Sequence, residues 1–247
     1  MAEIVDFPEN EAHLWIVRSR DARAPSLLAA YEELLTDDER EKRDRYRFEK
    51  DRHTCLVTRA LVRTTLSRYA DVAPDAWRFV TNEHGRPEIS EPASARWLRF
   101  NLSHTNGLVV CLVARGRRVG VDVEDRERSG RLLDVAERYF STAEVEALRS
   151  LPRPEQLERF FLYWTLKESY IKARGMGLAI PLGRFSFALE SVSERGIRIQ
   201  LDPRLEDDPE RWWFTVMSHG RRHLIAASVE SRGEPVVLAV REVLPLG

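Results

Sequence analysis

Cysteine is nearly absent from this chain. Only Cys55 and Cys111 occur in 247 residues, far apart and outside any Cys-x-x-Cys, which removes a zinc centre or a disulfide scaffold as the organising feature. Both lie in apolar runs and read as buried small hydrophobes. No hydrophobic run approaches the roughly 18 residues of a membrane span. The opening "MAEIVDFPENEAHLW" has acids and a proline where a secretory signal needs basic and then apolar residues, so the expected location is the cytoplasm and no membrane partner is expected. An excess of either charge is also missing. The 39 Lys and Arg residues against 40 Asp and Glu give a net charge of −1, so the molecule as a whole is no nucleic-acid or membrane-surface binder, and any basic site must be local. Low-complexity segments, a G-x-x-x-x-G-K-[ST] phosphate loop and a G-x-S-x-G nucleophile elbow are absent too.

What is present is the composition of a soluble globular protein, 43% hydrophobic and 32% charged. The length suits one large domain or two modest ones. Residues 13–19, "HLWIVRS", read as a first strand. "LTDDEREKRDRYRFEKDRHTCLVTRALVRTTLSRY" reads as one long helix, opened by a capping box of Thr36 with Glu39 and burying Leu56, Ala60, Leu61 and Leu66 in its second half. "WRFVTNEHGRPEI" is strand, turn and extended chain, and strands follow at 108–114 and 119–124 across the basic turn Arg115–Arg118. Helices cover "DVAERYFSTAEVEALRSL", re-capped at Ser141 with Glu144, and "EQLERFFLYWTLKESYIKARG". From Arg184 onward five segments read as strands, with a loop over the Pro- and Asp-rich residues 202–210. The order of strand, helix and strands appears twice, before and after about residue 115. An α+β protein of two similar halves, 1–115 and 116–247, is therefore expected.

The chemistry concentrates in a few places. In "VGVDVE", residues 119–124, Asp122 and Glu124 share one face of an otherwise apolar strand, roughly 7 Å apart along it. Two like charges held there are either solvated at an edge or serve as hard oxygen ligands for Mg²⁺. On the helix, Trp164, Glu168 and Lys172 form one stripe at i, i+4 spacing. Trp164 suits core packing, and Glu168 with Lys172 suits either a surface ion pair or a charged site beside the glycines at 175 and 177. "NLSHTNG" places Ser103 and His104 ahead of a strand, as an ordinary turn or as an anion contact through a hydroxyl and an imidazole. Lys42, Arg45 and neighbouring cations are interleaved with acids along residues 37–51. That pattern disfavours a nucleic-acid module, for which one-sided basic charge would be expected. Arg86 sits on the "HGRP" turn.

Taken in order, "HGRP", "FNLSHT", "VGVDVE", "RYFSTAE" and "WTLKESYIKARGMGL" resemble the motifs of the 4′-phosphopantetheinyl transferases of the Sfp type, over about residues 31–187. The resemblance implies a pseudo-twofold fold of two similar α/β halves with coenzyme A in the cleft between them. The N-terminal half would bind coenzyme A, and the C-terminal half would bind Mg²⁺ and carry the catalytic groups. Asp122, Glu124 and Glu168 would hold Mg²⁺ on the pyrophosphate. Lys172, Ser103 and His104 would lie at the phosphates, and Arg86 would stand where the family commonly has lysine. Lys42 and Arg45 match the family's helix cations more loosely. The implied partner is an apo acyl or peptidyl carrier protein of fatty acid, polyketide or nonribosomal peptide synthesis. Glu168, directly or through a metal-bound water, would be the general base. Both halves lie in one chain, which favours a monomer.

Overall fold

The structure, a computed structural model, describes residues 4–193 and 196–247. In chain order its elements are β1 (Glu11–Arg18), α1 (Pro25–Leu34), α2 (Asp37–Asp44), α3 (Glu49–Leu66), β2 (Arg78–Thr81), β3 (Pro87–Glu91), β4 (Leu98–Thr105), β5 (Leu108–Arg115) and β6 (Val119–Asp125). Then come α4 (Leu132–Tyr139), α5 (Thr142–Ser150), α6 (Arg153–Arg174), β7 (Phe185–Ser193), β8 (Gly196–Leu201), β9 (Trp212–His219), β10 (His223–Glu230) and β11 (Val237–Glu242). The architecture is α+β, as expected, and the chain divides into two compact units. One takes the described chain up to Asn82, Pro87–Gly116 and Val237–Gly247; the other takes Glu83–Arg86 and Arg117–Val236.

In the first unit a four-stranded sheet has the order β11-β1-β5-β4, beside the small hairpin β2-β3. The apolar run of β5 is buried along nearly its whole length, and α3 packs against the sheet with Leu56, Leu61 and Leu66 inside a core that includes Trp15, Tyr31 and Trp77. The strand β11 lies beside β1 in parallel, far from its sequence neighbours. Cys111 is buried as expected, while Cys55 is only partly covered.

The expected single long helix is two helices. The capping box at Thr36 and Glu39 forms, but α2 buries no residue, and an unanchored helical segment has little to sustain it. The chain leaves the helix at Arg45–Phe48, where Phe48 is extended, and Arg52 caps the broken turn by donating to the Tyr46 carbonyl at 2.8 Å.

"NLSHT" is also not a turn. It forms part of β4, with Ser103 opposite Val110 and His104 opposite Val109 in an antiparallel ladder. The turn is Asn106-Gly107, with Gly107 at φ 88°, the two-residue connection that favours tight hairpins.

In the second unit β6, β10 and β9 form an antiparallel sheet, and β7 pairs with β8. The long helix α6 covers β6 and β10. Its aromatic residues Phe160, Phe161 and Tyr170 join Phe185, Phe187, Trp212 and Phe214 in one core. A buried ion pair ties the layers. The Lys167 ammonium lies 2.7 Å from Glu144 and donates to the carbonyls of Leu182 and Phe185 at 2.8 and 2.6 Å. Glu144 completes the Ser141 capping box at the start of α5, and its other carboxylate oxygen accepts from the Phe187 amide at 3.1 Å. Burial pushes the Lys167 ammonium down to about 8 against the pull of Glu144.

Candidate functional site

The site in the second unit begins with a glycine. At the edge of its sheet β6 would be expected to wet one face, yet all seven of its residues are buried. Gly120 allows this. A Cβ there would lie 2.0 Å from the Ser169 carbonyl oxygen and 2.4 Å from the Ala173 nitrogen, so the backbones of β6 and α6 touch at this residue. Alternation along the strand then turns Asp122 and Glu124 to the Gly120 side. The helix enters on Pro152, runs for 22 residues and stops where Gly175 takes a left-handed φ of 71°. Ser169 and Ser228, whose hydroxyls lie 2.6 Å apart, join α6 to β10.

This contact brings together the residues that the sequence singled out separately. The Lys172 ammonium donates to Asp122 Oδ1 at 2.6 Å, so lysine pairs across to the strand. Glu124 accepts from Trp164 Nε1 at 2.9 Å and from Arg128 at 3.3 Å through both oxygens. Burial, followed by the nearby charge of Asp122, raises the Glu124 carboxyl. Burial and then Asp122, opposed by Lys172, push the Glu168 carboxyl up to about 7. Three carboxylates that feel one another in a poorly hydrated place repel unless a cation or shared protons compensate them.

The donor set fits a hard divalent cation. Mg²⁺ takes one or two carboxylates and completes its shell with water and phosphate oxygens, and Asp122 and Glu124 supply such carboxylates. Among the described residues no group of three or more His, Cys, Asp or Glu is gathered closely enough to hold a metal ion.

Sequence reasoning treated Trp164 as core, but its indole also orients Glu124. The i, i+4 relation to Glu168 was the available signal. Arg128 was not singled out, nor was Lys167 inside "KES". Arg86 donates from Nη1 to the Lys172 and Ala173 carbonyls at 2.9 and 2.8 Å, and from Nη2 to the Val119 carbonyl at 3.1 Å.

In the first unit a cavity of about 760 Å³ is lined by basic side chains, among them Arg20, Lys42, Lys50, Arg59 and His104. Lys42 comes from α2 and the exposed His104 from β4. Ser103 is buried in β4, and Arg45 is exposed and pairs with Glu41 at 3.5 Å; both lie outside that lining.

Comparison with known proteins covers both units. The family described as the 4′-phosphopantetheinyl transferase superfamily matches residues 118–228, and the family described as 4′-phosphopantetheinyl transferase, N-terminal, matches residues 23–116. The first span holds Asp122, Glu124, Glu168 and Lys172, and the second holds Lys42, Arg45, Arg86, Ser103 and His104. The 4′-phosphopantetheinyl transferase HetI of Nostoc sp. is 35% identical over 170 residues, 69% of this chain and 71% of its own. Sfp of Bacillus subtilis, a 4′-phosphopantetheinyl transferase, is 33% identical over 165 residues, 67% and 71% of the two chains. The L-aminoadipate-semialdehyde dehydrogenase-phosphopantetheinyl transferase of Xenopus laevis is 25% identical over 202 residues, 78% and 67% of the two chains. With relatives this similar over more than two thirds of their length, and with both family descriptions matched in order, the chain belongs to the 4′-phosphopantetheinyl transferase superfamily.

Proposed function

We propose that the protein transfers the 4′-phosphopantetheine group of coenzyme A to a serine of an apo acyl or peptidyl carrier protein, leaving 3′,5′-ADP. The observation that carries this reading is the meeting of Asp122, Glu124, Glu168 and Lys172 where β6 touches α6, in a chain of this family. In the reaction the serine oxygen forms a bond to the β-phosphorus, and the bond from that phosphorus to the oxygen bridging it to the α-phosphate breaks. The electron pair leaves on the ADP fragment. Phosphoryl transfer of this kind asks for positioning and charge neutralisation more than for covalent chemistry.

Asp122 and Glu124, with Glu168, would hold Mg²⁺. When bound, that ion neutralises charge on the pyrophosphate oxygens. Lys172, fixed by Asp122, presents an ammonium to the same phosphates. Trp164 and Arg128 hold the Glu124 carboxylate in one orientation. Glu168, directly or through a metal-bound water, would accept the proton of the attacking serine. In the first unit Lys42 and His104 are assigned to anionic groups of coenzyme A, because they share a basic cavity with Arg20 and Lys50. Ser103 and Arg45 are kept as weaker members of the phosphate-binding set. The same reading has the enzyme acting as a cytoplasmic monomer without nucleic acid.

The test is incubation with coenzyme A, Mg²⁺ and several apo carriers, followed by intact-protein mass spectrometry. The wild type should add one phosphopantetheine arm to at least one carrier, and Asp122→Ala should add none while keeping its circular dichroism. Wild-type turnover by Asp122→Ala at ordinary Mg²⁺ would refute the assignment.

A further inference from the structure

The residue on the "HGRP" turn does something that its place in the motif does not suggest. The segment Glu83–Arg86 belongs to the second unit although its flanks belong to the first, and Arg86 is partly buried there. Its two terminal nitrogens serve three main-chain oxygens. Two of them, on Lys172 and Ala173, lie in the last turn of α6, where a cation is favoured by the helix dipole and the Lys172 carbonyl also accepts from the Gly175 amide at 3.1 Å. The third, on Val119, belongs to β6. The next residue along is Gly120, where strand and helix touch. Arg86 thus grips both elements beside their closest approach. Asp122 and Lys172, 2.6 Å apart, sit on the same two elements.

We infer that Arg86 is a positioning residue: it fixes the end of α6 against β6 and thereby sets where the Lys172 ammonium stands relative to the carboxylates. A planar fork of donors can serve three carbonyls at once, whereas a lysine ammonium is a single point donor on a flexible stem. This separates the role from an anion contact on coenzyme A, which either cation could supply. The inference rests on the phosphopantetheine-transfer reading for its kinetic consequence, though not for the structural one.

Two variants, Arg86→Lys and Arg86→Ala, decide the matter. Steady-state transfer to an apo carrier at varied coenzyme A should show kcat reduced roughly tenfold or more in both, as expected when a reacting group is displaced by a fraction of an ångström. KM for coenzyme A should change less than about threefold, the mark of an interaction that acts on the chemical step. Amide hydrogen exchange over residues 165–178 of the free enzyme should speed up by about tenfold in both variants, reporting a loosened helix end. A wild-type kcat for Arg86→Lys, or a loss carried by KM, overturns the inference in favour of an anion contact. If Arg86→Ala fails to fold, Arg86→Lys and Arg86→Gln carry the same readouts. If the wild type transfers to no carrier, the functional reading fails by itself. The exchange measurement still rules on the clamp, and unchanged protection in both variants overturns it.

Discussion

Replacing Gly120 with alanine adds one methyl group at the point where β6 meets α6. That carbon would start 2.0 Å from the Ser169 carbonyl oxygen and 2.9 Å from Ala173 Cα. A carbon–oxygen contact settles at about 3.3 Å or more, so strand and helix must part by roughly 1.3 Å, and the facing atoms are backbone that cannot rotate away. Overpacking of this sort costs about 1–3 kcal/mol and sometimes more. For a chain of this size each kcal/mol lowers Tm by about 2–4 °C, so a fall of roughly 2–12 °C is expected by calorimetry. The same displacement stretches the 2.6 Å pairing of Lys172 with Asp122 beyond hydrogen-bonding length, so transfer to a carrier should fall by about a hundredfold, even well below the new Tm. A Gly120→Ala protein with Tm within about 1 °C of wild type and turnover within about twofold would refute the argument that close approach at Gly120 builds the site.

Three further outcomes are expected. Glu168→Gln should lower kcat by about 10²–10⁴ with coenzyme A binding little changed if Glu168 is the base; recovery of more than half the rate at high Mg²⁺ would reduce it to a metal ligand. Lys167→Met leaves Glu144 charged and buried, so denaturant unfolding should show a loss of about 3–5 kcal/mol, partly restored in Lys167→Met with Glu144→Gln; a single-variant loss below about 1 kcal/mol would make the pair dispensable. His13 is fully buried between the Tyr69 hydroxyl at 2.7 Å and Glu11 at 2.8 Å, and burial lowers its pKa from 6.5. Below pH 6.5 the unfolded chain takes up a proton that the folded one resists, so this contribution is present above that pH and fades as pH falls through the folded value. His13→Leu should therefore flatten the fall of Tm as pH drops below about 6.5, and an identical slope in both proteins would remove His13 as the cause.

Local pattern carried much of the site. The alternation that sets Asp122 and Glu124 on one face, the i, i+4 stripe on α6 and the two capping boxes are all visible in the letters, because each depends on neighbours within one turn or one pleat. What could not be seen was which partner each charge would find. Lys172 reads as the companion of Glu168, yet it pairs with Asp122 fifty residues away. Arg86 grips main-chain carbonyls, which every residue carries and no sequence pattern marks. The fold behaved likewise: the break at Arg45–Phe48 follows from the want of a buried face on α2, a tertiary fact. The hairpin at Asn106-Gly107, by contrast, was legible. Its Asn-Gly pair is a strong local signal for a two-residue hairpin turn.

The parallel strand β11 bears on how the protein is made. Residues 11–16 find their partners at 237–242, and the Tyr31 hydroxyl donates to the Pro245 carbonyl at 2.8 Å, so the first unit closes over most of the chain length. The second unit lies mainly in one unbroken run and has no such wait. During synthesis it can complete its sheet while the first still has an open edge along β1, exposing backbone that invites wrong pairing. Loops of such long range also slow folding. Removing residues 237–247 should therefore harm the first unit.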